Sequence, residues 1–244
     1  PSHPHPITSP SHHIPIPSHP HPIPSHPITS PSHHIPIPIP RQVLAWLQPE
    51  LRLIVMLREP IARYYSAYSY YNRRYHIYDA YGPQGPESFG KMATADVSRF
   101  ERCRQVHTQR RCVRNEFYGA QQLIKGMYAP FLHDWLISFP PSQLLCLKLE
   151  DYETAPQSHL RAVLAFLRLA PPPAARWRRM LSRPRANSQR QRGAAALLPT
   201  TRALLRNFYA PFNRELSALM GSRRYMWADT NLVGAARSGM RVDL

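Results

Sequence analysis

The apolar pattern is densest between Leu51 and Tyr71. Leu51, Leu53, Ile54, Val55, Met56 and Leu57 form a run of strand length that ends in Arg58 and Glu59. Pro60 then opens a segment of helical period, because its fixed φ suits a first turn whose N–H would have had no partner. A buried strand, a tight turn and a helix are predicted. Ala62, Ser66, Ser69 and Arg73 should share one face of that helix, with Ile61, Tyr64, Tyr65 and Tyr68 on a bulky apolar side. Upstream, residues 41–50 read as a short helix ending before Pro49. Downstream, 81–90 (YGPQGPESFG) reads as an irregular loop with two Gly-Pro-type breaks, and 91–114 should hold a helix.

From Asn115 to Phe139 an amphipathic helix is expected, with Phe117, Leu123, Ile124, Tyr128, Phe131, Leu132 and Trp135 as its apolar contributors and Gly126 as a point of interruption. Pro140 and Pro141 stop it, and QLLCLKLEDY supplies a second buried strand in which Cys146 is a small hydrophobe. Thr154 is placed to cap the next helix, with Pro156 in its first turn and Leu160, Val163, Leu164 and Leu167 facing inward. Residues 176–193 read as a basic loop, and Thr201–Met220 as a strong amphipathic helix packed on the sheet. Strand, helix, strand, helix in this order argues for an α/β fold with a parallel sheet.

The first forty residues break this pattern. They are a degenerate repeat of Ser, His, Pro and Ile that holds 14 of the 28 prolines and nine of the 13 histidines. So much proline prevents a helix or a paired strand, and a polyproline-like, disordered tail is expected. The histidines recur with the repeat and not at metal-ligand spacings, so no metal is expected. The domain is then 41–228, with 229–244 as a tail. No run of eighteen apolar residues and no signal peptide is visible. The chain begins with Pro1, which reads as an incomplete gene model or a fragment.

Because residues 1–40 carry no Lys, Arg, Asp or Glu, the net charge of +17 lies wholly in the remainder. Such a domain expects anionic partners. Lys91, Lys125 and Lys148 are the only lysines, so the field is built from arginine, whose planar fork suits phosphate and sulfate. No helix-turn-helix, zinc-finger or RNA-recognition signature points to nucleic acid, and no GxxxxGK[ST] points to a P-loop enzyme.

Arg58 stands where ligands of open α/β sheets bind, and Ser66 follows two turns along the helix. One charged fork and one hydroxyl suit a phosphate. In LREPIARYYSAY these two residues resemble the 3'-phosphate-binding motif of the Golgi carbohydrate sulfotransferases. The resemblance continues through GMYAPFLHDWLISFPPSQLLCLKLEDYETAP at 126–156 and LLRNFYAPFNRELSALMG at 204–221. It is nearest to the enzymes that 6-O-sulfate N-acetylgalactosamine 4-sulfate, with the heparan sulfotransferases further off.

The resemblance implies a P-loop-NTPase-like parallel sheet flanked by helices, here N-terminally truncated. It implies 3'-phosphoadenosine 5'-phosphosulfate (PAPS) as sulfate donor, a glycosaminoglycan-type acceptor, and a Golgi-lumenal, type II membrane protein whose anchor lies outside this chain. Arg58 and Ser66 would bind the donor. Arg190, Arg192 and Gly193 would belong to the loop that closes over the nucleotide, with a solvated cationic loop as the other reading. Cys103 and Cys112 resemble a pair that lumenal sulfotransferases oxidise; two free thiols are the alternative. Members of the family hold the 5'-phosphosulfate with a lysine upstream of the motif, whereas no lysine precedes Arg58, so weak nucleotide binding and poor transfer are expected. For the general base, His76, His107, His133 and Glu59 are candidates without a decision among them, Glu59 being equally a helix-start acid. A non-catalytic polyanion-binding protein on the same scaffold is the competing reading.

Overall fold

In the computed structural model the described residues are 40–182 and 196–227. Two strands, β1 (Leu53–Leu57) and β2 (Leu144–Lys148), pair in parallel with Leu53 opposite Leu144 and Leu57 opposite Lys148. The whole of 58–143 lies between them as a helical crossover. Helix α1 (Pro40–Leu47) precedes the sheet, and α2 (Pro60–Tyr75) leaves β1 after a two-residue turn.

The β1 pattern is half-buried. Leu57 is buried and Leu53 and Val55 pack on the core, but Ile54 and Met56 are 41% and 45% exposed. The expectation of a strand buried throughout is corrected on this point: successive side chains take opposite faces, and one face is open among the described residues. Strand β2 takes only Leu144–Lys148 of the expected QLLCLKLEDY strand, with Leu144, Cys146 and Leu147 buried, and the remaining LEDY is helical.

Helix α2 packs its Ile61, Tyr64 and Tyr68 against α3 (Pro86–Val106) and α10 (Pro199–Leu219), in a core built from Phe89, Met92, Phe100, Leu205, Phe208 and Phe212. Tyr68 stacks on Tyr78 at 5.5 Å between ring centres, and the Tyr64 hydroxyl donates to Asp96 at 2.5 Å. Ser69 was expected beside Ser66 on the small face, yet it is buried, because a position three along the helix has rotated toward the core. Helix α3 starts at Pro86, so half of the expected loop at 81–90 is helical. A proline at N1 begins a helix as readily as it breaks one.

The expected long helix over 115–139 is two pieces, α5 (Gln121–Ile124) and α6 (Tyr128–Leu136), preceded by a separate helix α4 (Gln109–Asn115) that ends where the long helix was expected to begin. Gly126 lies at the break between α5 and α6. A Cβ there would meet the Tyr209 hydroxyl at 2.7 Å, and that hydroxyl donates to the Leu123 carbonyl at 2.8 Å. Tertiary packing against α10 therefore ends α5 at this point. Cys103 and Cys112 form a disulfide that ties the last turn of α3 to α4, which resolves the pair in favour of oxidation.

After β2 come α7 (Leu149–Thr154) and α8 (Pro156–Phe166). Thr154 does not cap α8. It ends α7, its hydroxyl donates back to the Glu150 carbonyl at 3.0 Å, and Ala155 occupies the cap position. Leu160, Val163, Leu164 and Leu167 are only half-buried. Helix α9 (Ala174–Leu181) replaces the first part of the expected basic loop and buries Trp177. At the C-terminal side, Tyr225 is buried and donates to the Cys146 carbonyl at 3.0 Å.

Candidate functional site

The carboxyl ends of β1 and β2 lie side by side, so the residues that follow each strand share one edge of the sheet. Arg58 and Glu59 leave β1 there, while Lys148 ends β2 and Glu150 follows it. Arg58 is half-buried, and its guanidinium makes no hydrogen bond or ion pair among the described residues. Its backbone, by contrast, is held: the Tyr128 hydroxyl donates to the Arg58 carbonyl at 2.8 Å. Burial pushes the Tyr128 phenol up to about 12, so it stays a donor at neutral pH.

Glu59 is the N-cap of α2. Its carboxylate accepts from the Ile61 N–H at 3.0 Å and the Ala62 N–H at 2.6 Å, satisfying two donors of the helix start. Burial raises its pKa, while those two N–H groups and the positive charge of Arg202 pull it down. With both carboxylate oxygens so occupied, Glu59 is a capping residue in this structure. Its own N–H donates to Glu150 Oε1 at 2.7 Å, and Glu150 Oε2 accepts from Trp227 Nε1 at 3.3 Å. Glu150 thus links the turn after β1 to the end of the described chain. The residues LEDY gave no hint of this beyond their position after a strand.

Ser66 is half-buried on α2, with no hydrogen bond among the described residues. The free guanidinium of Arg58 and the free hydroxyl of Ser66 stand on either side of a capped turn. Arg63, one turn into α2, is committed elsewhere: it donates to the Gln122 side chain at 3.3 Å and to the Gln122 carbonyl. Lys148 sits on the same edge, its Nζ 5.4 Å from the Trp227 ring centre and 3.8 Å from Asp151.

The histidine candidates are scattered. His76 ends α2, is exposed and pairs with Asp79 at 3.2 Å; His107 follows α3; His133 is exposed on α6. None joins Arg58. Arg190, Arg192 and Gly193 lie outside the described residues. Among the described residues no three His, Cys, Asp or Glu side chains gather as metal ligands, and no helix is long and apolar enough to cross a membrane.

Residues 18–192 match the family model described as "Sulfotransferase domain". Carbohydrate sulfotransferase 15 of Mus musculus and that of Homo sapiens are each 32% identical over 188 residues, covering 75% of this chain and 32% of the relative. The Nototodarus sloanii protein of the same name is 29% identical over 135 residues, 53% of this chain and 85% of that one. A sulfotransferase of Alicyclobacillus acidocaldarius aligns with a TM-score of 0.49 and 21% identity, covering 75% of this chain and 59% of its own. The chain spans about a third of the length of the mammalian relatives. With the family model covering most of its residues, the chain belongs to the sulfotransferase domain family.

Proposed function

We propose that this domain transfers a sulfuryl group from PAPS to a hydroxyl of a glycosaminoglycan-type sugar. The observation that carries the reading is the unpartnered Arg58 guanidinium at the carboxyl edge of a parallel sheet, followed along α2 by the free hydroxyl of Ser66. Arg58 would hold the 3'-phosphate with two parallel N–H donors and Ser66 with one O–H. The capped start of α2 keeps that pair in place: Glu59 closes the first turn, Glu150 holds the Glu59 N–H, and Tyr128 holds the Arg58 carbonyl.

When PAPS is bound, its sulfur moves in line from a phosphate oxygen to the acceptor hydroxyl, so most of the protein's work is positioning and charge neutralisation. Lys148 supplies a further positive charge on the same edge. The names of the relatives support a carbohydrate acceptor. Within that class, a chondroitin-type chain in the Golgi lumen, on a protein anchored in the membrane, is the reading we adopt. The Cys103–Cys112 disulfide supports an oxidising compartment.

The test is incubation of the whole chain with PAPS carrying labelled sulfate and a panel of chondroitin and heparan oligosaccharides. Because no lysine precedes Arg58, transfer is expected to be slow, with a low yield of label in the glycan, more in chondroitin than in heparan, and none with Arg58→Ala. Nucleotide binding with no label in any glycan would contradict transfer.

A further inference from the structure

The face of α2 that carries Ser66 does not end there. At 100° per residue, Ser66, Tyr70, Arg73 and Arg74 fall within about a third of the helix circumference, at spacings of four, seven and eight. The opposite face holds Tyr64, Tyr68 and Asn72 in the core. A ridge about 12 Å long therefore runs from the donor-side hydroxyl to two guanidinium groups, at 1.5 Å per residue.

Tyr70 on this ridge is 52% exposed, an unusual setting for a large ring in a helix whose other face is packed with aromatics. It is nevertheless held. The Tyr70 and Tyr71 rings meet edge to face at 5.3 Å, Tyr70 and Tyr75 at 6.5 Å, and Tyr71 and Tyr75 at 6.2 Å. Three rings at the solvent end of one helix restrain one another, so Tyr70 offers a fixed aromatic face. Arg73 and Arg74 are exposed, and among the described residues neither makes an ion pair or hydrogen bond. The nearest acid in sequence, Asp79, is engaged by His76 at 3.2 Å.

We infer that the Tyr70–Arg73–Arg74 ridge of α2 is a secondary subsite that holds a sulfated sugar of the acceptor chain away from the transferred sulfur, on the same helix face as Ser66. Taking the acceptor as the glycosaminoglycan-type chain proposed above, its chemistry matches the ridge at both ends. The C–H face of a pyranose is weakly positive and apolar, and it lies well on the negative face of an aromatic ring. Its sulfate is tetrahedral with three terminal oxygens, and the planar arginine fork meets two of them at once. A ring and a fork one turn apart would read a sugar and its sulfate together.

The experiment uses the whole chain and two separate titrations, one with adenosine 3',5'-bisphosphate and one with a chondroitin 4-sulfate octasaccharide, at physiological ionic strength. Tyr70→Ala and Arg73→Gln/Arg74→Gln are each expected to weaken octasaccharide binding by about tenfold while leaving nucleotide affinity unchanged. A control pair that removes the same charge on α4, Arg111→Gln/Arg114→Gln, is expected to weaken it by less than about twofold, because screened charges at a distance contribute little. An unsulfated chondroitin octasaccharide should bind the wild type about as weakly as the sulfated one binds the arginine pair variant.

Wild-type-like octasaccharide binding by the two ridge variants would overturn the assignment. So would an equal loss in the control pair, or no octasaccharide binding by the wild type. Failure of the donor reading shows separately, as nucleotide binding that is absent or indifferent to Arg58.

Discussion

Helix α2 has two faces with opposite fates. Ile61, Tyr64, Tyr68 and Asn72 are buried and partnered, with Tyr64 bonded to Asp96 and Asn72 accepting from the Tyr78 N–H at 2.9 Å. Ala62, Ser66, Tyr70 and Arg73 are partly or fully exposed. The same sixteen residues thus anchor the helix and present it. The difference teaches that the ligand face gains its precision from the other side: side chains left unpaired toward solvent are useful only on a helix whose position is fixed by packing.

The largest effect should come from the anchoring face. Tyr68→Ala removes a fully buried ring stacked on Tyr78 and packed against Phe89, and is expected to cost about 3–5 kcal/mol in denaturant unfolding. Next is the clamp that ties α4 to the last turn of α3, the helix on which this face packs. Cys103→Ser/Cys112→Ser should lower stability by about 2–3 kcal/mol, and reduction of the wild type should reproduce the loss.

Asp96, the partner of Tyr64, adds a pH dependence. Burial raises its carboxyl to about 6, against the opposing effects of the Tyr64 hydrogen bond and the Arg99 charge. A pKa raised in the folded state favours the protonated form, so this contribution is complete below the unfolded value near 4 and is lost as pH rises through about 6. Wild-type stability should therefore fall by on the order of 1–2 kcal/mol relative to Asp96→Asn between about pH 4 and pH 7. Parallel curves would break the link.

The smallest stability change belongs to the presenting face. Ser66→Ala should alter unfolding by less than about 0.5 kcal/mol and still weaken adenosine 3',5'-bisphosphate binding by about five- to tenfold. A large loss of stability would place Ser66 among the anchoring residues instead.

Sequence patterning captured the β1–α2 unit because every cue in it is local: an apolar run, a proline at the helix start, and rings at helical spacing. The parallel pairing of β1 with β2 followed from the order of elements, and α10 from its own strong period. What escaped was tertiary. The break at Gly126 depends on Tyr209 filling the space where a Cβ would be, eighty-odd residues away. The role of Thr154 turned on whether 149–154 would be helical, and Glu150 became a bridge only when Glu59 and Trp227 came to it. Arg58 was singled out as a binding candidate from its place after a strand. The committed guanidinium of Arg63, five residues on, carried no sequence signal to tell it apart.

The central claim is that Arg58 exists to bind a 3'-phosphate. Calorimetric titration of the whole chain with adenosine 3',5'-bisphosphate, beside Arg58→Ala and beside adenosine 5'-monophosphate, tests it most directly. Binding should fall by on the order of a hundredfold with either the arginine or the 3'-phosphate removed, and removing both should add little further. Equal binding of the two nucleotides, or no nucleotide binding by a folded chain that still retains sulfated glycans at low salt, would contradict the donor site and leave a polyanion-binding scaffold.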